Sequence, residues 1–230
     1  MNLCEYRIIM QIEHIKKHYN KKIVLKDVSF EISEGECVGI LGGNGCGKST
    51  LLSILAGVNK PDEGSFIHNG ADLLRDRKVR SRFVGYVPQG NPLYDELTAK
   101  DNLKLWYDSA SMKRELAEGG VLRLLGINEF LKTRVSRMSG GMKKRLSIGC
   151  AVAGKPGLLL LDEPSAALDL VCKQQIYSYL RAYMQAGGSV VIVTHDVQDL
   201  SLCNRYLLLK DGMLSPYTMR SVDQLTKDLV

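Results

Sequence analysis

The sequence lacks a long apolar run, a secretory signal and any CxxC motif. Its apolar stretches fall well short of the ~18 residues of a membrane-spanning helix. The charges within the first stretch, MNLCEYRIIMQIEH, do not fit a signal peptide. Six cysteines form no CxxC pair and several lie in apolar runs such as GECVGIL, which is typical of buried, reduced thiols. We therefore expect a cytosolic chain, with any membrane component on a separate chain.

Internal repeats, low-complexity linkers and a concentrated block of one charge are also missing. The net charge is +6, but the basic residues are spread along the chain, so no nucleic-acid partner is expected. A length of 230 residues with 45% apolar and 24% charged residues is typical of one globular domain with a sizeable core.

Short apolar segments that alternate with helical patterns predict an α/β fold. Residues 10–32 predict strands around a polar turn, and further short strands are predicted at 38–41, 83–87, 158–161 and 189–194. Helical spacing follows the predicted strand at 38–41, ending at Gly57, and recurs over LVCKQQIYSYLRAYMQ. We expect a mainly parallel sheet flanked by helices, with an N-terminal antiparallel β portion.

The chain is predicted to form a single domain, 1–230, with an inserted helical subdomain. Mostly helical patterns fill residues 98–153, namely TAKDNLKLWYDS, MKRELAEGGVLRLLG and MKKRLSIGCAVAG. Residues 1–89 and 155–230 then form the core, and residues 90–154 form the subdomain.

A glycine-rich stretch, GGNGCGKST, joins a predicted strand to a predicted helix and fits G-x-x-x-x-G-K-[ST]. Successive backbone N–H groups and the helix N-terminus can surround a phosphate that Cβ atoms would exclude. Lys48 would pair with the β- and γ-phosphates, and the Ser49 hydroxyl would bind Mg²⁺. The alternative is a glycine-rich turn with an incidental lysine. The predicted loop consists of Gly42, Gly43, Asn44, Gly45, Cys46, Gly47, Lys48, Ser49 and Thr50.

Polar side chains end the neighbouring predicted strands. In LLLLDEP, Asp162 is placed to hold Mg²⁺ through water and Glu163 to take a proton from an attacking water. His195 of VVIVTHD ends the next strand and is expected to contact the γ-phosphate, and Gln89 after FVGYVP can reach the metal or the water. The alternatives are an ordinary acidic strand end, a structural histidine and a loop glutamine without a role. With the glycine loop, these motifs predict an ATP site of the P-loop NTPase type.

The order and spacing of these motifs resemble the ATP-binding cassette family, the ATPase subunits of ABC transporters, over nearly the whole chain. GGNGCGKST is similar to Walker A, YVPQ to the Q-loop, and VTHD to the switch-histidine motif. LLLLDEPSAALD is similar to Walker B followed by the D-loop, with Asp169. MSGGMKKRL resembles the family signature, and Tyr19 matches the aromatic residue on which adenine stacks.

The resemblance implies a dimer that buries two ATP molecules. Ser139, Gly140 and Gly141 open a predicted helix, so their hydroxyl and backbone amides make a second anion site. In the family, this end closes on the nucleotide of a second subunit, head to tail. The implied cofactors are ATP and Mg²⁺. The implied activity is ATP hydrolysis that drives a separately encoded transmembrane permease, from the cytoplasmic face of the cell membrane.

The sequence departs from the family pattern at three places. Met142 stands where glutamine is usual, which weakens that contact with nucleotide because methionine is a poor hydrogen-bonding group. Cys46 stands where alanine or serine is common, and a thiol beside a helix N-terminus is expected to be reactive, so that alkylation blocks ATP binding. Residues 1–9 are expected to be an extension before the first strand, with Met10 as the true start.

The region after Gln89 is where family members receive a helix of the permease. Candidate contact residues are Leu93, Tyr94, Leu97, Leu103, Trp106 and Tyr107. The basic run RDRKVRSR could face lipid headgroups or solvent. LYDELTAKDNLKLW resembles ABC-2 type exporters, and the chain ends without the regulatory β domain of many sugar importers, so export is the expected direction.

Two other function classes fit parts of the sequence. A soluble cassette ATPase acting on ribosomes or DNA usually has two cassettes or long coiled-coil inserts, which the sequence lacks. An assembly protein that binds ATP without turnover fits Met142 but not the presence of Glu163 and His195. Copurification with a membrane protein, rather than with ribosomes or DNA, would distinguish a transporter subunit from the first alternative. The rate of ATP hydrolysis would distinguish it from the second.

Overall fold

The computed structural model describes residues 8–166 and 168–219, which form a sheet with helices on both faces. The strands are β1 (Ile8–Tyr19), β2 (Lys22–Ser33), β3 (Cys37–Leu41), β4 (Glu63–His68), β5 (Ala71–Asp72), β6 (Val84–Val87), β7 (Leu158–Asp162), β8 (Ser189–Val193), β9 (Arg205–Lys210) and β10 (Met213–Tyr217). The helices are α1 (Lys48–Leu55), α2 (Arg77–Phe83), α3 (Ala99–Leu103), α4 (Ser109–Glu115), α5 (Val121–Leu124), α6 (Gly140–Ala151), α7 (Leu170–Gln185) and α8 (Val197–Leu200).

The first strands form the expected antiparallel portion. β1 pairs with β2 through a tight turn in which Asn20 has a φ of 54°, a left-handed conformation that asparagine tolerates. β4 pairs antiparallel with β1, and β5 with β4. Because β1 begins at Ile8, the last two residues of the expected N-terminal extension belong to the first strand. The earlier residues of that extension lie outside the described part of the chain.

The centre of the sheet is parallel, in the order β9-β3-β8-β7-β6. Every residue of β3, β7 and β8 is buried, because helices cover both faces of these strands. Alternate residues of β7 serve opposite faces. Leu158 and Leu160 pack in one cluster with the leucines of α1, whereas Leu159 and Leu161 pack in another cluster with residues of α6 and α7. Each fully buried leucine contributes about 1.5–3 kcal/mol relative to exposure.

The helical region after β6 is more broken than the sequence predicts. Within TAKDNLKLWYDS, only the residues of α3 and Ser109, the first residue of α4, are helical. The segment MKRELAEGGVLRLLG is divided between α4 and α5, with Gly119 and Gly120 between the two helices. The φ of Gly119 is +79°, and a Cβ on Gly120 would lie 2.4 Å from the carbonyl oxygen of Glu115. α4 ends at Glu115, before the glycines, and the two glycines then allow the chain to turn into α5, for which Gly120 is the N-cap.

Two of the expected permease contacts are wrong. Leu103 is fully buried, and Tyr107 is 6% exposed with its hydroxyl donating to the carbonyl of Gly149 over 2.8 Å. Both side chains belong to the core because α3 packs on α6. Within residues 8–166 and 168–219, no helix is both long and apolar enough to cross a bilayer.

Candidate active site

The glycine loop connects β3 to α1 and has the conformation that its glycines allow. The φ angles of Gly42, Gly45 and Gly47 are 154°, 74° and 112°, which are left-handed values that other residues adopt at a cost. A Cβ on Gly42 would also lie 2.5 Å from the carbonyl oxygen of Leu209. Gly47 precedes α1 without a side-chain cap, so the first N–H groups of this helix are not satisfied by a capping side chain.

Lys48 lies at the centre of the loop. Its side chain is 6% exposed, and its Nζ donates to the carbonyl oxygens of Gly42 over 2.7 Å and Gly43 over 2.9 Å. The Sγ of Cys46 is 4.0 Å from the same Nζ. The loop thus curls around one buried ammonium group, which places a positive charge beside its backbone N–H groups.

Asp162 ends β7 beside the loop and is 3% exposed. Burial raises the pKa of Asp162, and the repulsion from Glu163 adds to this, whereas a hydrogen bond from Ser49 and the charges of Lys144 and Lys48 lower it. The Ser49 hydroxyl and the Asp162 carboxylate are the hard oxygen ligands that Mg²⁺ prefers. In the described ranges, no group of three or more His, Cys, Asp or Glu side chains could hold a metal.

Glu163 follows β7 with a φ of 48°, which is uncommon for a residue other than glycine. Its backbone N–H donates to the carbonyl of Val193 over 2.8 Å, which ties the ends of β7 and β8 together. The carboxylate lies 3.4 Å from Nε2 of Gln89 and 3.7 Å from Nε2 of His195. The structure therefore brings together the three side chains that the sequence predicts as catalytic.

Tyr19 lies at the far end of the site, at the end of β1. Its ring is 44% exposed, and its hydroxyl accepts a hydrogen bond from Asn59 over 3.3 Å. A cavity of about 390 Å³ connects this ring to the loop and the strand ends. Its predicted lining residues are Tyr19, Asn44, Gly45, Gly47, Lys48, Ser49, Thr50, Gln89, Asp162, Glu163 and His195. Lys22 and Val24 also line it, and no motif in the sequence indicated them.

A polar network behind His195 was missed by the sequence analysis. Asp199 is fully buried and accepts hydrogen bonds from Thr194 over 2.7 Å and from the Tyr177 hydroxyl over 2.9 Å. Asp196 pairs with Lys173 of α7. In the sequence, this network was indicated only by Asp199, an acidic residue four positions after His195. The network fixes the loop that carries His195 against α7.

The signature residues lie outside this cavity. Ser139 caps α6, and its Oγ accepts from the N–H of Met142 over 3.2 Å. Ser139 and Gly140 are exposed, whereas Gly141 is buried against Cys172. Met142 is partly buried and packs on the core. Asp169 is exposed and caps α7. Within one chain, the structure does not bring these residues together with the phosphate loop.

Comparisons with known proteins match this geometry. The profile of the ABC transporter family matches residues 25–166. The chain is 34% identical to the linearmycin resistance ATP-binding protein of Bacillus subtilis, over 89% of this chain and 67% of that protein. It is 36% identical to a spermidine/putrescine import ATP-binding protein of Spiroplasma citri, over 90% and 60%. It is 35% identical to the Nod factor export ATP-binding protein I of Sinorhizobium fredii, over 89% and 61%.

The chain therefore spans about three fifths to two thirds of the length of these relatives. Among solved structures, a dimeric ATP-binding cassette in a post-hydrolysis state with ADP and Pi superposes with a TM-score of 0.80. That structure is 28% identical and the match covers 92% of this chain and all of the other.

Proposed function

This chain belongs to the ABC transporter family, and we propose that it binds MgATP in the cavity between Tyr19 and the phosphate loop and hydrolyses it to drive a separate membrane permease. The proposal rests on the position of the Glu163 carboxylate, which contacts Gln89 and His195 in the cavity that the phosphate loop and Lys48 also line. A carboxylate so placed can accept the proton of an attacking water.

Each predicted residue then has a role. Tyr19 stacks on adenine, and the backbone N–H groups of residues 42–50 with the Lys48 ammonium hold the phosphates. Ser49, Asp162 and Gln89 would hold Mg²⁺, which when bound neutralises phosphate charge. Glu163 orients and deprotonates the water, and His195 contacts the γ-phosphate. Burial and then Lys48 lower the pKa of His195, against the opposing charge of Glu163, so its ring stays neutral and able to donate one hydrogen bond.

The exposed signature supports a head-to-tail homodimer. Ser139 and Gly140 present a helix N-terminus to solvent rather than to the cavity of their own chain, so a second subunit has to supply this anion site. The dimeric cassette among the solved structures supports a dimer. We place Gly141, Met142 and Asp169 near that interface, with Met142 contributing packing instead of the amide hydrogen bonds of glutamine.

The helical region 90–154 acts as a subdomain, and the permease is expected to dock on it. Four large apolar side chains are exposed in this region, namely Tyr94 at 63%, Leu105 at 56%, Trp106 at 65% and Leu124 at 44%. Exposed apolar groups of this size are typical of protein contacts. This docking would place the chain on the cytoplasmic face of a membrane. The ABC-2-like stretch and the Nod factor exporter favour export, although an import protein is equally similar.

The test of this function uses Glu163→Gln and light scattering after size-exclusion chromatography. With Mg-free ATP the variant should change from monomer to dimer. In a separate assay with MgATP, its rate of phosphate release should be about 10²- to 10⁴-fold below that of wild type. The double variant Lys48→Ala, Glu163→Gln should stay monomeric because it lacks the phosphate contact. Turnover at the wild-type rate would disprove the role of Glu163, and a monomer with saturating bound ATP would disprove the ATP-closed dimer.

A further inference from the structure

A second cavity, of about 430 Å³, lies at the opposite end of the sheet from the phosphate loop. Gly157 and Gly188, which directly precede β7 and β8, form part of its wall. Strands of this length separate it from the Asp162 end of β7 by about 16 Å. None of its lining residues belongs to the nucleotide cavity. It is therefore a separate space, of a volume that suits a small molecule.

Three tyrosines converge on this cavity. The Tyr107 hydroxyl donates to the carbonyl of Gly149 over 2.8 Å, and the Tyr183 hydroxyl donates to the carbonyl of Pro156 over 2.7 Å. The rings of Tyr179 and Tyr183 are tilted at a centroid distance of 6.0 Å. Two of the hydroxyls thus satisfy backbone groups, and the rings provide an aromatic lining.

The third hydroxyl, on Tyr179, has no hydrogen-bond partner within residues 8–166 and 168–219, and it is not among the unpartnered atoms that are shut off from solvent there, which are Asn91 Oδ1 and Arg145 Nε. Burial raises the pKa of Tyr179, so the hydroxyl keeps its proton. Tyr179 lines the cavity, where solvent or a bound molecule can pair with its hydroxyl.

One acid, Glu115, lines the same cavity, and its side chain is 14% exposed. Its carboxylate accepts from the N–H of Val121 over 3.3 Å and from Nε of Arg114 over 3.2 Å. The other charged lining residue is Lys155, whose Nζ lies 3.9 Å from Glu115 and whose side chain is 74% exposed. The Arg114 contact is also an ion pair, and the Arg114 side chain is 62% exposed. Because both cations are largely exposed, both ion pairs are weak, and the two carboxylate oxygens retain acceptor capacity.

We propose that this cavity binds a small organic amine, with the ammonium group on Glu115, the apolar body among the tyrosine rings, and the Tyr179 hydroxyl as a second polar contact. A cation is favoured by the carboxylate and by the faces of tyrosine rings. An anion would lie against Glu115 without a buried positive partner. The amine would displace Lys155 from Glu115. The proposal does not depend on the ATP-driven function.

The test is calorimetric titration of the full chain with tryptamine, compared with tryptophol, in which a neutral hydroxyl replaces the amine. We expect saturable binding of tryptamine and at least about 10-fold weaker binding of tryptophol, the loss that one charge-assisted hydrogen bond represents. Glu115→Gln should weaken tryptamine binding about 10-fold and remove the preference over tryptophol, whereas Glu129→Gln, the same change at an exposed site, should have no effect.

Two further variants separate binding from folding and from the nucleotide site. Tyr179→Phe removes a hydroxyl without a described partner, so it should keep the wild-type circular dichroism spectrum and bind tryptamine about 3- to 10-fold more weakly. Tyr19→Ala should bind tryptamine as wild type does, because the indole does not occupy the adenine position. Equal binding of tryptophol, unchanged binding by Glu115→Gln, loss of binding in Tyr19→Ala, or no saturable binding would each overturn the proposal.

Discussion

Glu163 is an example of a single residue whose backbone conformation sets up the site. Its left-handed φ of 48° and its N–H bond to Val193 hold the residue at the junction of two strands. Such a conformation costs about 1–3 kcal/mol and persists only where the surroundings enforce it. Here it directs the carboxylate towards Gln89 and His195. The strain is consistent with a functional position.

His195 gives a prediction for stability against pH. Burial and, to a smaller extent, the charge of Lys48 lower the pKa of His195 below its ordinary value of 6.5, and the charge of Glu163 opposes this shift. As pH falls, the unfolded chain takes up this proton before the folded chain does, so stability present above pH 6.5 is lost as pH falls through the folded pKa. Between about pH 8 and about pH 5, His195→Gln should therefore lose less free energy of unfolding than wild type. Urea titrations at several pH values measure this, and equal losses would contradict it.

Cys46 gives a prediction for chemical modification. Its partly buried thiol is 4.0 Å from the Lys48 ammonium inside the phosphate loop. An N-ethylmaleimide adduct would fill the space of the phosphates, so ATP binding should be lost and bound ATP should protect. Cys46→Ala should bind ATP and resist the reagent.

Cys203→Ala is the matched control for this experiment, because Cys203 is the other partly buried cysteine among the described residues. It should remain as sensitive as wild type. A Cys46→Ala protein that is still inactivated would show that another thiol is responsible.

At the scale of elements, α6 links the signature to the catalytic loop. Lys144 is 4% exposed, and its Nζ donates to the carbonyls of Pro88 over 3.2 Å and Gln89 over 3.3 Å. Burial lowers the pKa of Lys144, and the charges of Asp162, Glu163 and Asp199 oppose this. On the same helix, Arg145 donates to Leu125 and Gln175. The helix is thereby tied to the Gln89 loop, to α5 and to α7.

Loss of the Lys144 anchor should affect catalysis more than binding. In Lys144→Met the Gln89 loop loses both contacts, and small displacements of a positioning group can cost on the order of 10- to 100-fold in rate. We expect kcat for ATP hydrolysis to fall by at least about 10-fold while the Kd of ATP changes less than about 3-fold. Lys143→Met is the control, since the Lys143 ammonium pairs with the exposed Asp95 carboxylate over 3.5 Å. The same loss in both variants would contradict a specific role for Lys144.

At the scale of the whole molecule, the phosphate loop and the signature of one chain face different places. The head-to-tail dimer that we propose would build each site from two chains. Lys48→Ala and Ser139→Arg should each be inactive alone, but a mixed dimer contains one site in which both halves are intact. With random mixing of equal amounts, phosphate release should recover to about a quarter of wild type.

The control mixture combines Lys48→Ala with Glu163→Gln. Lys48 and Glu163 both line the phosphate-loop cavity of their own chain. Every nucleotide site in a mixed dimer therefore carries one of the two changes, and activity should stay low. Recovery in both mixtures, or in neither, would contradict the head-to-tail arrangement.

The sequence by itself determined the parts that depend on local pattern. The apolar runs of β3, β7 and β8 indicated buried parallel strands, and the residues that follow them indicated one polar edge with Asp162, Glu163 and His195. The loop conformation follows from glycines that adopt positive φ angles. These features were predictable because neighbouring residues alone set period, turn and strand end.

Only the tertiary structure decided features made by residues distant in the chain. The pairing of β9 with β3 and of β10 with β9 lay outside the predicted strands, because few local signals mark strands whose burial depends on partners. The contact of Lys144 with Gln89, the pairing of Asp196 with Lys173, and the burial of Tyr107 likewise depend on packing between elements. So does the cavity of Glu115 and Tyr179, since a pocket is the space that packed elements leave between them.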